Sequence, residues 1–134
     1  MALTALQVMQ DAPVIPVIVV DDVLQAVCVA HALVQGGVRM LEITLRTPQA
    51  LACMEAIAHQ VHGAIVGAGT LRKVDDVARV VAAGAQFAVS PGYTRALGQA
   101  CRDACLPLLP GVATGSEIMQ AQDDGFDQLK FFPA

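Results

Sequence analysis

A repeating strand-and-helix unit is the feature that most constrains how this chain can fold. Three segments share one layout, in which a glycine is followed by a short gap, an apolar strand-like run and then a polar group: Gly36–Thr44, Gly84–Pro91 and Gly125–Pro133. Alanine-rich amphipathic stretches separate these segments. Strands that alternate with helices predict parallel β/α units joined by right-handed crossovers, and near-continuous apolar strands predict a sheet that is covered on both faces.

Six strand-like runs and six helix-like stretches follow one another along the chain. The strand-like runs are Val14–Val20, Val38–Thr44, Ala64–Gly67, Gln86–Ser90, Pro107–Pro110 and Gln128–Phe132. The helix-like stretches are Leu3–Gln10, Asp22–Gln35, Pro48–Val61, Val74–Ala83, Thr94–Ala104 and Ser116–Asp124. The predicted N-caps are Asp21, Thr47, Thr94 and Ser116. The glycines predicted to end helices in the left-handed conformation are Gly36, Gly84 and Gly125.

The predicted fold class is α/β, a (β/α)8 TIM barrel. An open doubly wound sheet is the alternative, but no G-x-G-x-x-G sequence follows the first strand, where a dinucleotide fold would place it. Barrels of this type usually need about 200 residues or more, whereas this chain has 134. We therefore expect residues 1–134 to form a single barrel domain that carries about the first six strands and is incomplete at its C-terminal end.

Composition argues against several classes of function. The formal net charge is −4 and the eight lysines and arginines are scattered, which speaks against a nucleic-acid partner or an anionic membrane surface. The longest apolar run, Val14–Val20, is interrupted by Pro16 and is far shorter than the roughly 20 residues that span a bilayer. The first basic residue is Arg39, so no signal-peptide n-region is visible. The sequence predicts a cytoplasmic protein.

No metal and no cofactor are expected from the cysteines and histidines. The four cysteines form no C-x-x-C pair and are interpreted as small buried apolar residues in a reducing compartment: Cys28, Cys53, Cys101 and Cys105. The histidines also fall on predicted helices. His59 and His62 have no nearby carboxylate in a chelating pattern.

Lys130 is one of only two lysines and lies in an apolar strand-like run, between Leu129 and Phe131. Apolar surroundings disfavour the charged ammonium group and favour the neutral amine, which is the nucleophile for Schiff-base chemistry on a carbonyl substrate. The alternative is an edge-strand lysine whose charge blocks aggregation. This segment alone leaves the two interpretations evenly balanced.

Other polar side chains stand at the carboxyl ends of the predicted strands, where barrel enzymes carry their chemistry. Glu42 lies between two apolar residues, so its side chain points into the barrel if theirs face the helices. Arg46 and Thr70 follow two neighbouring strands. A carboxylate, a guanidinium, a hydroxyl and the Lys130 amine are therefore predicted to converge on one mouth.

Each of these residues also has a structural interpretation. Glu42 and Lys130 could form a buried structural ion pair, and Arg46 could be a solvated loop residue. The segment from Gly67 to Gly69 is only a short glycine-bearing loop, and Pro91 can be explained as a residue that ends a strand. The set is more specific than its members, because each lies at the same end of a different strand.

Five segments, in order along the chain, closely resemble the 2-keto-3-deoxy-6-phosphogluconate (KDPG) aldolases, a family that includes 4-hydroxy-2-oxoglutarate aldolase activity. The segments are Leu41-Glu-Ile-Thr-Leu-Arg46, Ile65-Val-Gly-Ala-Gly-Thr70, Gln86-Phe-Ala-Val-Ser-Pro-Gly92, Pro107-Leu-Leu-Pro-Gly111 and Leu129-Lys-Phe-Phe-Pro-Ala134. The resemblance implies a class I, metal-independent aldolase without a cofactor, commonly a homotrimer. Such an enzyme cleaves KDPG to pyruvate and glyceraldehyde 3-phosphate.

The resemblance also implies roles for six residues. Lys130 would form the Schiff base with the keto carbon, and Glu42 would be the general acid and base. The four implied substrate-binding residues are Arg46 and Thr70 for the pyruvate carboxylate, and Pro91 and Phe132 for the pocket wall. Members of the family continue through two further strands, whose loops bind the substrate phosphate. That region is absent from this sequence, so the identity of the substrate rests on resemblance.

Two other functions stay open. One is a phosphosugar epimerase or isomerase barrel that uses Glu42 as a base without a covalent step. The other is an inactive barrel fragment. Borohydride reduction in the presence of pyruvate separates them from the aldolase, because only a Schiff-base enzyme traps a stable adduct on lysine.

Overall fold

The computed structural model describes residues 2–134, which contain six helices and seven strands that alternate except where the sixth strand directly follows the fifth. The strands are β1 (Val17–Ile18), β2 (Met40–Thr44), β3 (Ile65–Gly69), β4 (Phe87–Val89), β5 (Leu108–Leu109), β6 (Gly111–Val112) and β7 (Lys130–Phe131). The helices are α1 (Ala5–Asp11), α2 (Val23–Gln35), α3 (Ala50–Gln60), α4 (Val74–Ala82), α5 (Arg95–Asp103) and α6 (Gly115–Asp123). None of the helices in residues 2–134 combines the length and apolar character needed to cross a membrane.

The strands are parallel and follow chain order across the sheet. β1 to β5 form one sheet and β6 pairs with β7. Pro110 separates β5 from β6, because proline has no N–H to donate to the ladder. Its carbonyl still accepts a 2.9 Å hydrogen bond from the Lys130 N–H, so β5 and β6 are two halves of one strand. The chain therefore contains six successive strand positions of a parallel (β/α) barrel, as the sequence predicted.

Side chains alternate between the two faces of β2. Leu41 and Ile43 are fully buried in a cluster that includes residues of α2 and α3. Met40 belongs to a second cluster, on the interior face, together with Phe87 of β4 and Leu109 of β5. Because side chains two apart on a strand share a face, this alternation directs the side chains after Met40 on the same face into the barrel interior.

Helix α1 closes the amino end of the interior. Its Val8 is fully buried with Met40 and Phe87, and Ile65 at the start of β3 packs against the same cluster. The helix is held at its start by Thr4, whose hydroxyl accepts a hydrogen bond from the Gln7 N–H in a capping box. The carboxyl ends of the strands are therefore left as the open end.

Several element boundaries differ from the prediction. β1 is limited to Val17–Ile18 because it pairs with β2 only there, whereas β3 extends to Gly69 because its ladder with β2 continues through Thr44. The residues from Gly67 to Gly69 are thus strand and not loop. Gly36 has φ of −79°, and Gly37 takes the left-handed conformation instead.

Three of the four predicted N-caps are wrong. The caps are Asp22 in place of Asp21 and Thr114 in place of Ser116, while Thr94 is the cap as predicted. The Thr47 hydroxyl donates to the Val20 carbonyl at 2.6 Å and so is not used on a helix. A cap is decided by which side chain reaches the first free N–H groups, and neighbouring polar residues compete for that position.

The prediction of buried cysteines is half wrong. Cys53 and Cys101 are buried, but Cys28 and Cys105 are exposed. All four are free thiols. Burial raises the pKa of the Cys101 thiol to about 11, so at neutral pH this residue is a packed, protonated side chain.

Candidate active site

Glu42 occupies the interior face at the middle of β2. Only 4% of its surface is exposed, and its N–H donates to the Pro16 carbonyl at 3.1 Å. Its register partners are Val17 on β1 and Gly67 on β3. The ladder on both sides fixes the backbone, so the position of the carboxylate depends on the side-chain torsions and on the neighbours that surround it.

The pKa of the Glu42 carboxyl is raised above its ordinary value, chiefly because burial disfavours the charged form. The positive charges of Lys130 and Arg46 oppose this shift, so both cations act on the carboxylate. The ion pairs within 4.0 Å in residues 2–134 are Arg79–Asp76 and Arg95–Asp124. A direct Glu42–Lys130 ion pair, the structural interpretation of these two residues, is therefore not present in the described chain.

A stability prediction follows from this raised pKa. The pKa of Glu42 is near 4.5 in the unfolded chain and higher in the native state. Between these two pKa values the native state binds the proton more tightly, so the free energy of unfolding falls as pH rises. Glu42→Gln removes this loss of stability, because an amide does not ionise. We expect the variant to gain melting temperature relative to wild type at pH 8 and to gain little at pH 4, with the exposed Glu55→Gln as the control. A relative gain that is larger at pH 4 would contradict the assignment.

Lys130 begins β7 and is half-buried. It is paired in register with Gly111 of β6, and its Nζ lies 4.7 Å from the centre of the Phe132 ring, so the two side chains share a face as predicted. Phe131, on the opposite face, is 67% exposed. The apolar surroundings expected around Lys130 are thus limited to its contact with Phe132, because Phe131 lies on the opposite face and is largely exposed.

Arg46 and Thr70 follow β2 and β3, and a hydrogen bond joins their side chains. The Arg46 Nε donates to the Thr70 Oγ1 at 3.1 Å, which ties the loop after β2 to the loop after β3. Thr70 has φ of 58°, a left-handed conformation that costs a β-branched residue on the order of 1–3 kcal/mol. Arg46 is exposed, as a solvated residue would be, but this hydrogen bond orients it.

Pro91 and Phe132 stand at the ends of β4 and β7. Pro91 is half-buried and Phe132 is 37% exposed. A side chain at Gly111 would come within 2.5 Å of the Pro91 backbone, so the glycine allows the strand after Pro110 to approach it. Four of the six residues singled out from the sequence therefore lie on the segments that follow strands: Arg46, Thr70, Pro91 and Phe132. Glu42 lies within β2 and Lys130 begins β7.

Comparison with known proteins shows the family to which this chain is similar. The family model for KDPG and KHG aldolase matches residues 6–134. The chain belongs to the KDPG and KHG aldolase family. It is 50% identical over 131 residues to the 2-dehydro-3-deoxy-phosphogluconate aldolase of Dickeya dadantii and to the KHG/KDPG aldolase of Escherichia coli, covering 98% of this chain and 62% of each relative.

A solved structure of a KDPG aldolase has a closely similar fold. The KDPG aldolase of Legionella pneumophila, with pyruvate captured at low pH as a covalent carbinolamine intermediate, is 44% identical with a TM-score of 0.91. The match covers 96% of this chain and 62% of that one. The chain thus spans about 62% of the length of these relatives.

Within this aldolase-family chain, two glycines of β3 were not recognised from the sequence as part of the site. Gly67 and Gly69 both face the interior, where a side chain at Gly67 would collide with the Phe87 ring and one at Gly69 with Glu42. The available signal was their spacing, since two glycines at i and i+2 leave one face of a strand bare. Thr44 is also buried at this end, and its hydroxyl donates to the Ile18 carbonyl at 3.1 Å.

No group of three or more His, Cys, Asp or Glu side chains within residues 2–134 is placed to hold a metal ion. The chemistry that the described site can offer is that of an amine, a carboxylate, a guanidinium and a hydroxyl at one mouth.

Proposed function

We propose that the protein is a class I aldolase that cleaves 2-keto-3-deoxy-6-phosphogluconate to pyruvate and glyceraldehyde 3-phosphate, and that it also cleaves 4-hydroxy-2-oxoglutarate to pyruvate and glyoxylate. The observation that supports this most directly is that the charges of Lys130 and Arg46 both act on the buried Glu42 carboxyl, while Arg46 donates a hydrogen bond to Thr70. Membership of the KDPG and KHG aldolase family supports the choice of substrates.

Lys130 is proposed to supply the covalent step. Its neutral amine attacks the keto carbon of the substrate to give a carbinolamine. The carbinolamine hydroxyl takes up a proton from solvent and leaves as water, which gives a protonated imine. The imine withdraws electrons from the adjacent carbon. When the bond between carbons 3 and 4 breaks, its electron pair enters the imine and leaves pyruvate as an enamine.

Glu42 is proposed to move the protons. As the bond breaks, its carboxylate accepts the proton of the hydroxyl on carbon 4, and the aldehyde product is released. The carboxylic acid then returns a proton to the enamine, and water hydrolyses the imine to free pyruvate. A raised pKa suits this double role, because a group that titrates nearer neutral pH both accepts and donates protons readily.

Arg46 and Thr70 are proposed to bind the carboxylate of the pyruvate moiety. A guanidinium presents a planar fork that matches a carboxylate, and the hydrogen bond to Thr70 keeps the two side chains together. Pro91 and the Phe132 ring are proposed to form the apolar wall beside the imine. Phe132 already packs against the Lys130 amine.

Arg46→Lys is therefore expected to raise KM for KDPG by roughly tenfold, with a smaller effect on kcat, because a lysine keeps the charge but loses the bidentate geometry. The measurement is steady-state kinetics of pyruvate release. Arg39→Lys, an exposed arginine bonded to the Gly63 carbonyl at the other end of the strands, is the matched control. An unchanged KM in Arg46→Lys would remove Arg46 from substrate binding.

The experiment that tests the function is borohydride reduction with pyruvate, followed by peptide mapping and combined with an assay of KDPG cleavage. A pyruvate adduct on Lys130 together with aldehyde release supports the aldolase. Turnover of a phosphosugar without any adduct would identify a non-covalent epimerase or isomerase instead. Failure of both reactions in the full-length protein would reject the proposal.

The organisation of the whole protein is proposed on the same basis. Residues 1–134 are proposed to form one domain that supplies the first six strands of an eight-stranded barrel, since the chain covers 62% of its relatives. Family resemblance supports a homotrimer in the cytoplasm with a small 2-keto acid as its substrate. Sedimentation of the full-length protein tests the trimer.

A further inference from the structure

We propose that Gly69 is a positioning residue: the bare interior face at Gly69 forms a slot that holds the Glu42 side chain at the mouth of the barrel. The slot is a geometric feature of β2 and β3. Its consequence for turnover rests on the function proposed above.

The slot is visible in what a side chain at Gly69 would meet. A Cβ built there would lie 2.6 Å from the Glu42 Cγ and 2.8 Å from its Cδ, well inside the separation of about 3.5–4.0 Å that two carbon atoms prefer. The three nearest atoms all belong to Glu42. The Glu42 side chain therefore packs directly against the β3 backbone at Gly69, where there is no side chain to displace it.

The register shows the direction in which Glu42 reaches. Glu42 is opposite Gly67, and Gly69 is opposite Thr44. Since Gly69 is two residues further along β3, the Glu42 side chain leans toward the carboxyl end of the sheet. Arg46 follows β2 at this end, and the charges of Arg46 and Lys130 both act on the Glu42 carboxyl.

Gly67 and Gly69 serve different purposes although they share a face. A Cβ at Gly67 would meet the ring of Phe87, a fully buried core residue that cannot move aside. A Cβ at Gly69 would meet the flexible end of a single glutamate. Gly69 is not in the left-handed region, so alanine suits its backbone. Gly69→Ala is therefore expected to keep the fold while forcing the carboxylate out of the slot.

The test compares Gly69→Ala with wild type in the full-length protein. Displacing a catalytic group by about 1 Å costs on the order of 10²-fold, so we expect kcat for KDPG to fall by about 10–100-fold while KM changes less than about threefold. In a Glu42→Gln background, the same substitution should change kcat less than about twofold, because its effect acts through Glu42. The control is Gly115→Ala at the start of α6, where a Cβ meets nothing within 4 Å.

A second measurement does not depend on activity. Carbon-13 NMR of the glutamate carboxyls follows the titration of Glu42, identified by its absence in Glu42→Gln. Leaving the slot should lower the Glu42 midpoint toward that of an exposed glutamate, while Glu117 on α6 is unchanged. A Gly69→Ala protein with an unaltered Glu42 midpoint overturns the proposal. If wild type shows no aldolase activity, the proposed function fails, and the midpoint alone still decides whether Gly69 places Glu42.

Discussion

Replacing Lys130 with methionine is expected to abolish aldol cleavage, with kcat reduced by roughly 10³-fold or more. Without the amine no imine forms, and the electron pair released from the broken carbon–carbon bond has no acceptor. Methionine retains an apolar stem of similar length beside Phe132, so β7 should keep its pairing with β6. The measurement is KDPG cleavage, together with the mass of the protein after borohydride reduction with pyruvate.

Lys73 provides the control for this experiment. It is the other lysine of the chain and lies at the exposed N-cap of α4, without a capping hydrogen bond from its side chain. Lys73→Met should retain both the pyruvate adduct and wild-type turnover. An adduct that persists in Lys130→Met, or that maps to Lys73 in wild type, would refute the role of Lys130.

Glu42→Gln is expected to lower kcat by about 10²–10⁴-fold, the contribution typical of a general acid or base. The amide preserves the shape that fits over Gly69 but cannot exchange a proton with the substrate. Pyruvate binding should weaken much less than turnover, and slow borohydride trapping on Lys130 should persist. A variant that retains more than about a tenth of wild-type kcat would exclude Glu42 as the main proton carrier.

The pH profile gives an independent check on Glu42. In the free enzyme the carboxylate must be ionised to accept a proton, and burial raises its pKa. The rate constant kcat/KM should therefore fall on the acid side at a pH above the ordinary titration of a glutamate. Glu42→Gln should remove this acid limb while leaving the low residual rate. An acid limb that survives in the variant would have to belong to another group.

The order of the strands and the end at which polar residues gather were predictable from the sequence. Both depend on periodicity: apolar neighbours on each side of Glu42 determine its face, and two-residue spacing places Lys130 and Phe132 together. The convergence of Arg46 with Thr70 followed from their positions after adjacent parallel strands. These predictions needed only chain order and the alternation of a strand.

The features that were missed depend on contacts between strands. No local pattern shows that Pro110 divides a strand, that Thr47 bonds to the Val20 carbonyl, or that Glu42 lies over Gly69. Each is decided by a partner that lies many residues away in the sequence. The exposure of Phe131 was not predicted for a related reason. An apolar residue in a strand favours burial, but whether it is buried depends on what packs against it.

Because α1 closes the amino end of the barrel interior, the packing that stabilises this end is separate from the proposed active site. Val8, Met40 and Phe87 fill the closed end of the barrel, whereas the residues proposed to bind and react with substrate are not part of this cluster. Substitutions that improve packing around Val8 can therefore be selected for heat resistance without touching a group that contacts substrate. One end of the barrel can therefore accept stabilising substitutions, while substitutions at the other end can change the substrate preference.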